Sequence, residues 1–313
     1  MTDNPTPAAT SETTRPRVVL AGGSGFLGRR LAAILGGNDY DVVILTRGNP
    51  RPPVGPISFE HWQPDQGDAS AALGELVSGS QAVINLCGES IGGPRWTEAR
   101  KAQLIASRVV PTERLVAACA AAEAPPAVFI QASGVGFYGI GNKAVDEESG
   151  TGGDFLADLA RQWEAPLTAL PGNVRAVTAR LGVVLGQGGG ALSQMLLPFK
   201  LFVGGPIAKG TQWLSWIHLH DATAILAGFI DDAAASGVYN VVAPNPVRNS
   251  EFAEAAGKAL GRPSWMFTPR FVLTAMLGEQ ATLVCDGQQA VSKRLDHSKF
   301  DYPDIGTALA SLI

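Results

Sequence analysis

The stretch at residues 17–28, which reads RVVLAGGSGFLG, decides the fold that we predict for this chain. Residues 18–21 form a short apolar run that starts with two β-branched residues, which favours a strand buried on both faces. Three glycines follow at regular spacing, and apolar residues then recur at helical spacing over residues 27–35. Strand, glycine turn and helix in this order are typical of the phosphate-binding start of a dinucleotide fold.

Each glycine of this turn has its own physical role in the predicted site. Gly22 permits a sharp exit from the strand, and Gly25 lets the backbone approach a pyrophosphate because it lacks a Cβ. Gly28 lets the helix pack close to the sheet, while the helix N-terminus offers free N–H groups to the anion. An ordinary strand–loop–helix turn is the alternative in a chain this rich in glycine. The residues expected to contact the cofactor here are Gly22, Ser24, Gly25, Phe26, Leu27 and Gly28.

The end of the second predicted strand, residues 41–46, indicates which dinucleotide is bound. An acidic residue at this point would accept a hydrogen bond from a ribose 2′-hydroxyl. Thr46 and Arg47 offer a hydroxyl and a guanidinium instead, which suits a 2′-phosphate. We therefore predict NADP(H) rather than NAD(H), with a solvated loop charge as the alternative for Arg47.

Strand and helix patterns continue to alternate along the chain, which predicts an α/β fold with a Rossmann-type doubly wound parallel sheet and a smaller C-terminal substrate lobe. Further strands are predicted at residues 57–62, 81–87, 128–133, 174–181, 213–219 and 237–242, and helices at 71–77, 96–122, 155–170 and 222–230. Pro111 should break or kink the long helix. The predicted divisions are a disordered tail (1–16), an NADP-binding domain (17–186) and the C-terminal lobe (187–313), whose final segment starts near residue 262. Some strands of the lobe could return to the main sheet.

Small and polar residues follow several predicted strands, at the edge where such sheets bind ligands. Cys87 and Gly88 would let the backbone pass close to the adenosine-ribose side of the cofactor, although a glycine-rich turn is the alternative. Glu89 follows them, Trp62 ends the third strand and Ser133 ends the fifth. We expect all five residues to contact the cofactor.

Composition limits the classes of function that this chain can serve. Its 313 residues are 46% hydrophobic and 17% charged, which indicates a globular protein. The net charge of −4 and the lack of a basic stripe argue against nucleic acid as a partner. The three cysteines form no CxxC pair, which suggests a reducing compartment without structural zinc.

Targeting and assembly are the least informative aspects of the sequence. The polar N-terminus carries no apolar targeting segment, and no run of apolar residues is long enough to span a membrane. We therefore expect a cytoplasmic protein with a small-molecule substrate, without a bound metal and without a membrane partner. A homodimer is one open possibility for its assembly.

Taken together, the motifs resemble the atypical extended short-chain dehydrogenases/reductases of the "epimerase family protein" type, in the NAD-dependent epimerase/dehydratase superfamily and the group designated family 39U. The resemblance implies a Rossmann domain, an NADP(H) site and a C-terminal substrate lobe with a small terminal domain. The segments that carry it are GGSGFLG from Gly22, LTR from Leu45, VINLCGESI from Val83, RWTEARK from Arg95, SGVGFYG from Ser133, RLGVVLG from Arg180, GGPIAKGTQWLSWIHLHD from Gly204 and KRLDHSKFDYPDIGTAL from Lys293.

The chain departs from that superfamily at the residues that do the chemistry. Working members carry a Tyr-xxx-Lys pair on one helix, in which Lys lowers the Tyr pKa and Tyr relays the proton. On the predicted helix at residues 155–170 these positions fall near Leu156 and Ala160, neither of which titrates. Tyr138 and Lys143 are one residue too far apart and lie in a glycine-rich loop.

Two hypotheses follow from the absence of this Tyr-xxx-Lys pair. The chain could be an NADP(H)-dependent oxidoreductase acting on an unknown small carbonyl or alcohol, with Ser133 polarising the carbonyl and Tyr138 giving the proton. Alternatively, it could be a catalytically silent NADP(H)-binding protein with a regulatory or partner-binding role. At the level of single residues, the alternatives are a turn hydroxyl for Ser133 and a packed core ring for Tyr138.

Three further features have both a functional and a structural interpretation. Arg180 could bind an anionic substrate group or form a buried ion pair with Glu164. Trp213 and Trp216 could cover a substrate pocket or pack within the lobe. Asp221 is expected to be the N-cap of the helix that follows it.

Overall fold

The computed structural model describes residues 15–66 and 70–313. The predicted disordered tail therefore lies outside the described residues, apart from Arg15 and Pro16. Arg15 forms an ion pair with Asp39, just before the first strand starts. In the described part of the chain, no helix combines the length and apolar character that crossing a bilayer requires.

Strands and helices alternate along most of the described chain. The strands are β1 (Arg17–Ala21), β2 (Asp41–Thr46), β3 (Ile57–His61), β4 (Ala82–Asn85), β5 (Val128–Gly134), β6 (Ala144–Val145), β7 (Arg175–Leu181), β8 (Val183–Leu185), β9 (Trp213–Leu214), β10 (Trp216–His218), β11 (Gly237–Val241), β12 (Val247–Arg248) and β13 (Gln289–Ala290). The α-helices are α1 (Phe26–Gly37), α2 (Ser70–Val77), α3 (Glu98–Ala121), α4 (Phe155–Glu164), α5 (Leu192–Lys200), α6 (Leu219–Asp231), α7 (Asn249–Leu260), α8 (Arg270–Leu277), α9 (Thr282–Cys285) and α10 (Ile305–Leu312). Short 3-10 helices cover Val135–Tyr138, Ala165–Ala169, Gly278–Ala281 and His297–Lys299.

The central sheet has seven strands in the order β11-β7-β5-β4-β1-β2-β3, and every neighbouring pair is parallel. The chain builds outward from β1 to β3, then returns to the other side of β1 with β4 and builds outward again. The strand order therefore reverses between β1 and β4, and ligands bind at the carboxyl ends beside such a switch point. The predicted doubly wound parallel sheet is confirmed.

Apolar side chains on both faces of the sheet explain this layering. All four residues that follow Arg17 in β1 are inaccessible to solvent, as expected for a central parallel strand. One face packs against α1 and α6, through residues such as Leu31 and Leu226. The other face packs against α2 and α3, through residues such as Leu73 and Leu115. Burial of both faces fixes the sheet between two helical layers.

The chain beyond residue 187 contributes to two separate cores. Its strand β11 pairs with β7 along the edge of the main sheet, and its helix α6 packs beside α1. A second core forms where α5, α7 and α10 surround Trp216, which is inaccessible to solvent and donates its indole N–H to the Asn245 carbonyl at 3.0 Å. Trp216 thus packs in the core, whereas the half-buried Trp213 lies under the Arg248 guanidinium.

Three local predictions need correction. The predicted break in the long helix does not occur, since α3 continues through Pro111, which is buried inside it. The helix predicted at residues 155–170 is α-helical only to Glu164 and then tightens into a 3-10 turn, because Pro166 cannot supply the N–H of a further α-helical bond. The strand predicted at residues 213–219 is two short strands with different partners, β12 for β9 and β8 for β10.

The expectation that Asp221 caps α6 is also wrong. His218 is the N-cap, and its Nδ1 accepts a hydrogen bond from the His220 N–H at 3.0 Å. Asp221 lies in the first turn, where its two carboxylate oxygens accept the N–H groups of Asp301 and Tyr302, each at 3.1 Å. His220 also pairs with Asp301, so three groups that could bind a metal lie together, but they fasten the C-terminal segment to α6.

His218 makes the stability of this junction depend on pH. The ring stacks on Tyr302 with centroids 3.9 Å apart, and burial lowers the His218 pKa from 6.5 to about 4, helped by His220 and Arg30 and opposed by Asp301. Because the folded state disfavours the charged ring, the stabilising contribution is complete above pH 6.5 and is lost as the pH falls towards 4.

We therefore expect His218→Asn to reduce the acid sensitivity of the fold. Asn can still cap α6 but does not titrate. Urea unfolding at pH 7 and pH 5 should show a larger loss of unfolding free energy in the wild type than in the variant. An equal loss in both proteins would contradict a buried, neutral His218.

Candidate functional site

The glycine turn after β1 lies against the end of β4, at the switch point of the sheet. Gly22 has a φ of +78°, and a Cβ at this position would lie 2.7 Å from the Leu86 carbonyl carbon. A Cβ at Gly28 would lie 2.4 Å from the Gly22 oxygen, so α1 starts in direct backbone contact with the turn. A larger residue at Gly22 would push the turn away from the loop after β4, and one at Gly28 would push α1 away from the turn.

The N-terminus of α1 is open for an anion. Gly25 is its N-cap, in an extended conformation, and no side chain caps the first turn. A Cβ at Gly25 would have only the Gly22 oxygen within 4 Å, so the outer side of the turn is unobstructed, and Ser24 beside it is exposed. Free N–H groups at the positive end of the helix dipole fit the pyrophosphate of a dinucleotide.

Phe26 and Leu27 support the turn from below rather than lying open beside Ser24. The Phe26 ring fills the space next to Gly186 and Gly189, where added Cβ atoms would lie 2.8 and 2.7 Å from it. Leu27 packs against the core on the α1 side of the sheet. The turn is therefore held by the loop that follows β8.

The residues predicted for the 2′-phosphate end β2. Thr46 Oγ1 accepts the Gly48 N–H at 3.3 Å, which shapes the turn. Arg47 is exposed and makes no ion pair or hydrogen bond with the other described residues. Trp62, from the end of β3, is buried in the core below them, so its ring serves packing. Arg47 thus carries a charge that no other described residue pairs with.

The loop after β4 is anchored by buried polar groups that our sequence analysis did not identify. Asn85 is fully buried, and its Oδ1 accepts the Cys87 N–H at 3.0 Å while its Nδ2 donates to Thr112 and Gln131. Burial raises the Cys87 pKa to about 12, against the opposing charge of Arg47, so the thiol is protonated. A lone Asn within the apolar run AVIN was the signal that could have revealed this anchor.

Arg108 supports the next two residues of the same loop. Its guanidinium lies directly beneath Gly88, where a Cβ would be 3.0 Å from Cζ, and it donates to the Glu89 carbonyl at 2.8 Å. Burial lowers the Arg108 pKa to about 10, which leaves the side chain charged. The Glu89 carboxylate is already paired with Arg100, so the backbone of the loop is the part that can face a ligand.

The two predicted catalytic hydroxyls, Ser133 and Tyr138, belong to one buried network. Glu164 and Arg180 form a two-point ion pair with N–O distances of 2.9 and 2.7 Å, as one of the two interpretations of Arg180 predicts. Ser133 donates to Glu164 at 2.6 Å. Tyr138 accepts from Arg180 at 3.0 Å and donates to Asn240 Oδ1 at 2.7 Å.

This network keeps the tyrosine protonated. Burial raises the pKa of Tyr138, and the hydrogen bond and charge of Arg180 act in the opposite direction. Ser133 and Tyr138 are 3% and 7% exposed, so neither hydroxyl faces open solvent. Leu156, at the expected position of the tyrosine, packs instead against Gly136, and Ala160 is buried.

A cavity of about 410 Å³ lies beside the residues that follow Tyr138 in the chain. It lies between residues 140–142, which follow the 3-10 turn of Tyr138, residues 208–212, and the C-terminal residues 267–270 and 285–287. This volume is in the range of small-molecule sites. The cavity therefore joins the segment after β5 to the C-terminal part of the chain.

The C-terminal part also contacts the loop after β4. Gln280 is buried and donates to the carbonyls of Ile91 and Gly93, at 2.9 and 3.1 Å. Lys101 of α3 pairs with Glu279 at 2.6 Å. These contacts tie the C-terminal part of the chain to the loop after β4 and to α3.

The backbone contact at Gly28 predicts a selective loss of dinucleotide binding. We expect Gly28→Ala to weaken NADPH binding at least tenfold (about 1.4 kcal/mol or more), because its Cβ cannot fit against Gly22. Gly37→Ala is the matched control, since an added Cβ at that site of α1 meets no atom within 4 Å. Fluorescence titration with NADPH, with thermal melts to confirm folding, would measure both, and equal affinities would contradict the predicted role.

Comparison with known families places this geometry in context. The family described as "NAD dependent epimerase/dehydratase family" matches residues 18–242. A second match, "Domain of unknown function (DUF1731)", covers residues 268–312. The first match covers the sheet and the glycine turn, and the second covers the segment that closes the cavity.

Individual relatives match along almost the whole chain. The human epimerase family protein SDR39U1 is 37% identical over 305 residues, which cover 95% of this chain and 99% of the relative. The chloroplastic homologue of SDR39U1 from Arabidopsis thaliana is 38% identical over 296 residues, which cover 91% of this chain and 82% of the relative.

Solved structures agree with the sequence relatives. The structure of human SDR39U1 (isoform 2) with NADPH superimposes with a TM-score of 0.84 at 34% identity, covering 95% of this chain and 98% of that one. A nucleoside-diphosphate sugar epimerase from Corynebacterium glutamicum gives a TM-score of 0.75 at 31% identity, covering 95% of this chain and 57% of that one. The resemblance inferred from the motifs is therefore confirmed, and the chain belongs to the NAD-dependent epimerase/dehydratase family, among its SDR39U1-like members.

Proposed function

We propose that this protein is an NADP(H)-dependent oxidoreductase that acts on a small carbonyl or alcohol substrate. The observation that carries the proposal is the cavity of about 410 Å³ that follows the segment of Tyr138. A protein that only sensed the dinucleotide would need the glycine turn and no cavity elsewhere. The presence of both fits a reaction between a cofactor and a substrate.

The residues at the switch point fit NADP(H) as the cofactor. The uncapped N-terminus of α1 would hold the pyrophosphate, and the free guanidinium of Arg47 would meet the 2′-phosphate. The human relative solved with NADPH supports this choice. When bound, the cofactor supplies the hydride for reduction of a carbonyl.

The buried network would supply the proton for the reaction. Tyr138 holds its proton at the phenolic oxygen, where Arg180 can stabilise the negative charge left after proton transfer. Ser133 donates to Glu164 and would have to turn from it to polarise a substrate oxygen. In this scheme Arg180 takes the electrostatic role that a lysine on α4 has in working relatives.

One observation favours a second candidate, a protein that binds NADP(H) without turnover. Both hydroxyls already donate to internal acceptors, Glu164 and Asn240, so the network is complete without a substrate. A regulatory protein that signals cofactor binding through the cleft would show the same geometry. Direct measurement of turnover separates the two candidates.

The role of Arg47 predicts which cofactor is preferred. We expect Arg47→Leu to weaken NADPH binding about tenfold or more and to leave NADH binding unchanged, because a charge-assisted hydrogen bond is worth about 1.5–3 kcal/mol. Side-by-side fluorescence titrations measure this, with Arg262→Leu, a distant arginine stacked on Phe202, as the control. Equal losses of affinity for NADPH and NADH would contradict a role for Arg47 in binding the 2′-phosphate.

The role of Tyr138 predicts a loss of turnover without a loss of cofactor. With a panel of aldehydes and ketones, the wild type should consume NADPH, and Tyr138→Phe should lower kcat about 100-fold or more at unchanged NADPH affinity. Tyr40→Phe is the matched control, since its hydroxyl contacts Asp231 away from the cleft. Tight NADPH binding with no NADPH consumption by the wild type would favour the silent protein.

A further inference from the structure

We infer that the cavity selects ligands that carry an anionic group, a carboxylate or a phosphate, and that Lys209 binds this group. We call it the seam cavity, because residues 140–142 and 208–212 meet the C-terminal residues 267–270 and 285–287 there. The inference rests on the proposed function, because it takes the ligand to be the substrate of the oxidoreductase. It adds the charge of that substrate and the residue that recognises it.

Lys209 lines the seam cavity with an uncompensated charge. Its ammonium group makes no ion pair and no hydrogen bond with the other described residues. The other lining cation is Arg270, which forms two hydrogen bonds with Asp286, at 2.7 and 2.6 Å. The charges of that pair cancel, so the lining carries one net positive charge, located at Lys209.

The residues on both sides of Lys209 have left-handed backbone conformations. Ala208 has a φ of +50° and Gly210 a φ of +66°, so the lysine sits between two left-handed residues. Such a conformation in a residue other than glycine persists only when its surroundings impose it, and it concentrates at ligand sites. The loop is not a freely moving surface turn that happens to contain a lysine.

Hydrogen bonds from two sides impose this conformation. The Ala208 N–H donates to the Thr268 carbonyl at 2.9 Å, and the Ile207 N–H donates to Asn249 Oδ1 at 2.8 Å. The Ser250 N–H donates to the Gly210 carbonyl at 2.9 Å. The backbone on both sides of Lys209 is thus held in place before a ligand arrives, so the loop itself need not be ordered on binding.

The opposite lip of the seam cavity is tied to the same loop. Arg248 donates to Asn142 Oδ1 at 3.2 Å and to the Thr211 carbonyl, and its guanidinium stacks on Trp213 at 3.6 Å from the ring centroid. Arg248 therefore links residues on both lips of the seam cavity.

Apolar groups complete the lining and define the rest of the ligand. Ile140, Phe267 and Pro269 contribute hydrophobic surface next to Lys209. An ammonium group beside apolar walls suits a small acid with a hydrophobic body, and the volume of about 410 Å³ is at the small end for ligand sites. A neutral sugar would leave the ammonium without a counter-charge.

Matched charged and neutral probes test this inference. In the presence of NADP⁺, which cannot reduce a carbonyl, calorimetry would compare phenylglyoxylate with its neutral methyl ester, and phenyl phosphate would show whether phosphate also serves. We expect the acid to bind at least tenfold more tightly than the ester. Lys209→Gln should remove this preference by weakening acid binding, and Lys258→Gln, at an exposed site on α7, should change nothing.

Asp286→Asn provides a test of opposite sign. It removes a negative charge from the lining and releases Arg270, so anion affinity should rise about threefold or more. Thermal melts show whether each variant is folded. If Asp286→Asn does not fold, the result for Lys209→Gln, a change at an exposed position, decides whether the cavity prefers anions. Equal binding of acid and ester by the wild type, no binding of either anionic probe, or an unchanged preference in Lys209→Gln would overturn the inference.

The outcomes also separate this inference from the proposed function. Turnover of neutral carbonyls with no preference for anions would overturn the anion site and leave the oxidoreductase intact. Anion binding that depends on Lys209, without NADPH consumption for any carbonyl, would support the site and contradict the oxidoreductase.

Discussion

Backbone contact between the glycine turn and the end of β4 is the constraint on which the rest of this structure depends. The turn can lie against Leu86 only because Gly22 has no Cβ, and α1 can start there only because Gly28 has none. That contact brings the helix N-terminus to the switch point of the sheet. The loops after β2, β4 and β8 are then arranged around it, with Phe26 filling the space below.

The charged groups beside the predicted catalytic hydroxyls lie in the core of this chain. In place of a titrating pair on α4, this chain has Leu156 and Ala160, and the charged groups are Glu164 on that helix and Arg180 on β7. Burying an ion pair is costly unless its remaining hydrogen-bonding positions are filled, and here Ser133 and Tyr138 fill two of them. The hydroxyls therefore contribute to stability as well as being the candidates for chemistry.

Local sequence patterns were sufficient to predict most strands of the main sheet. The β-branched runs, the glycine spacing and the apolar periodicity predicted six of its strands, β1 to β5 and β7, and β11 was predicted as a strand without its place in the sheet. Features that depend on contacts between distant segments were harder to predict from the sequence. Asp221 looked like an N-cap because its partners, Asp301 and Tyr302, lie far away in sequence, and Pro111 looked disruptive although its helix is held by packing on the sheet. For the same reason Arg108, Asn85 and Lys209 went unnoticed, since their roles depend on what folds over them.

The hydrogen bonds from Gln280 to Ile91 and Gly93 have a consequence for how the protein is made. They join residues 189 and 187 positions apart, so the loop after β4 gains these two contacts only after residue 280 has been synthesised. Contacts of such high sequence separation form late and slowly, because closing the long intervening loop costs entropy before any contact is gained. A nascent chain can thus complete most of its central sheet before the C-terminal segment is present. That segment then adds its contacts to the loop after β4 and forms one wall of the cavity.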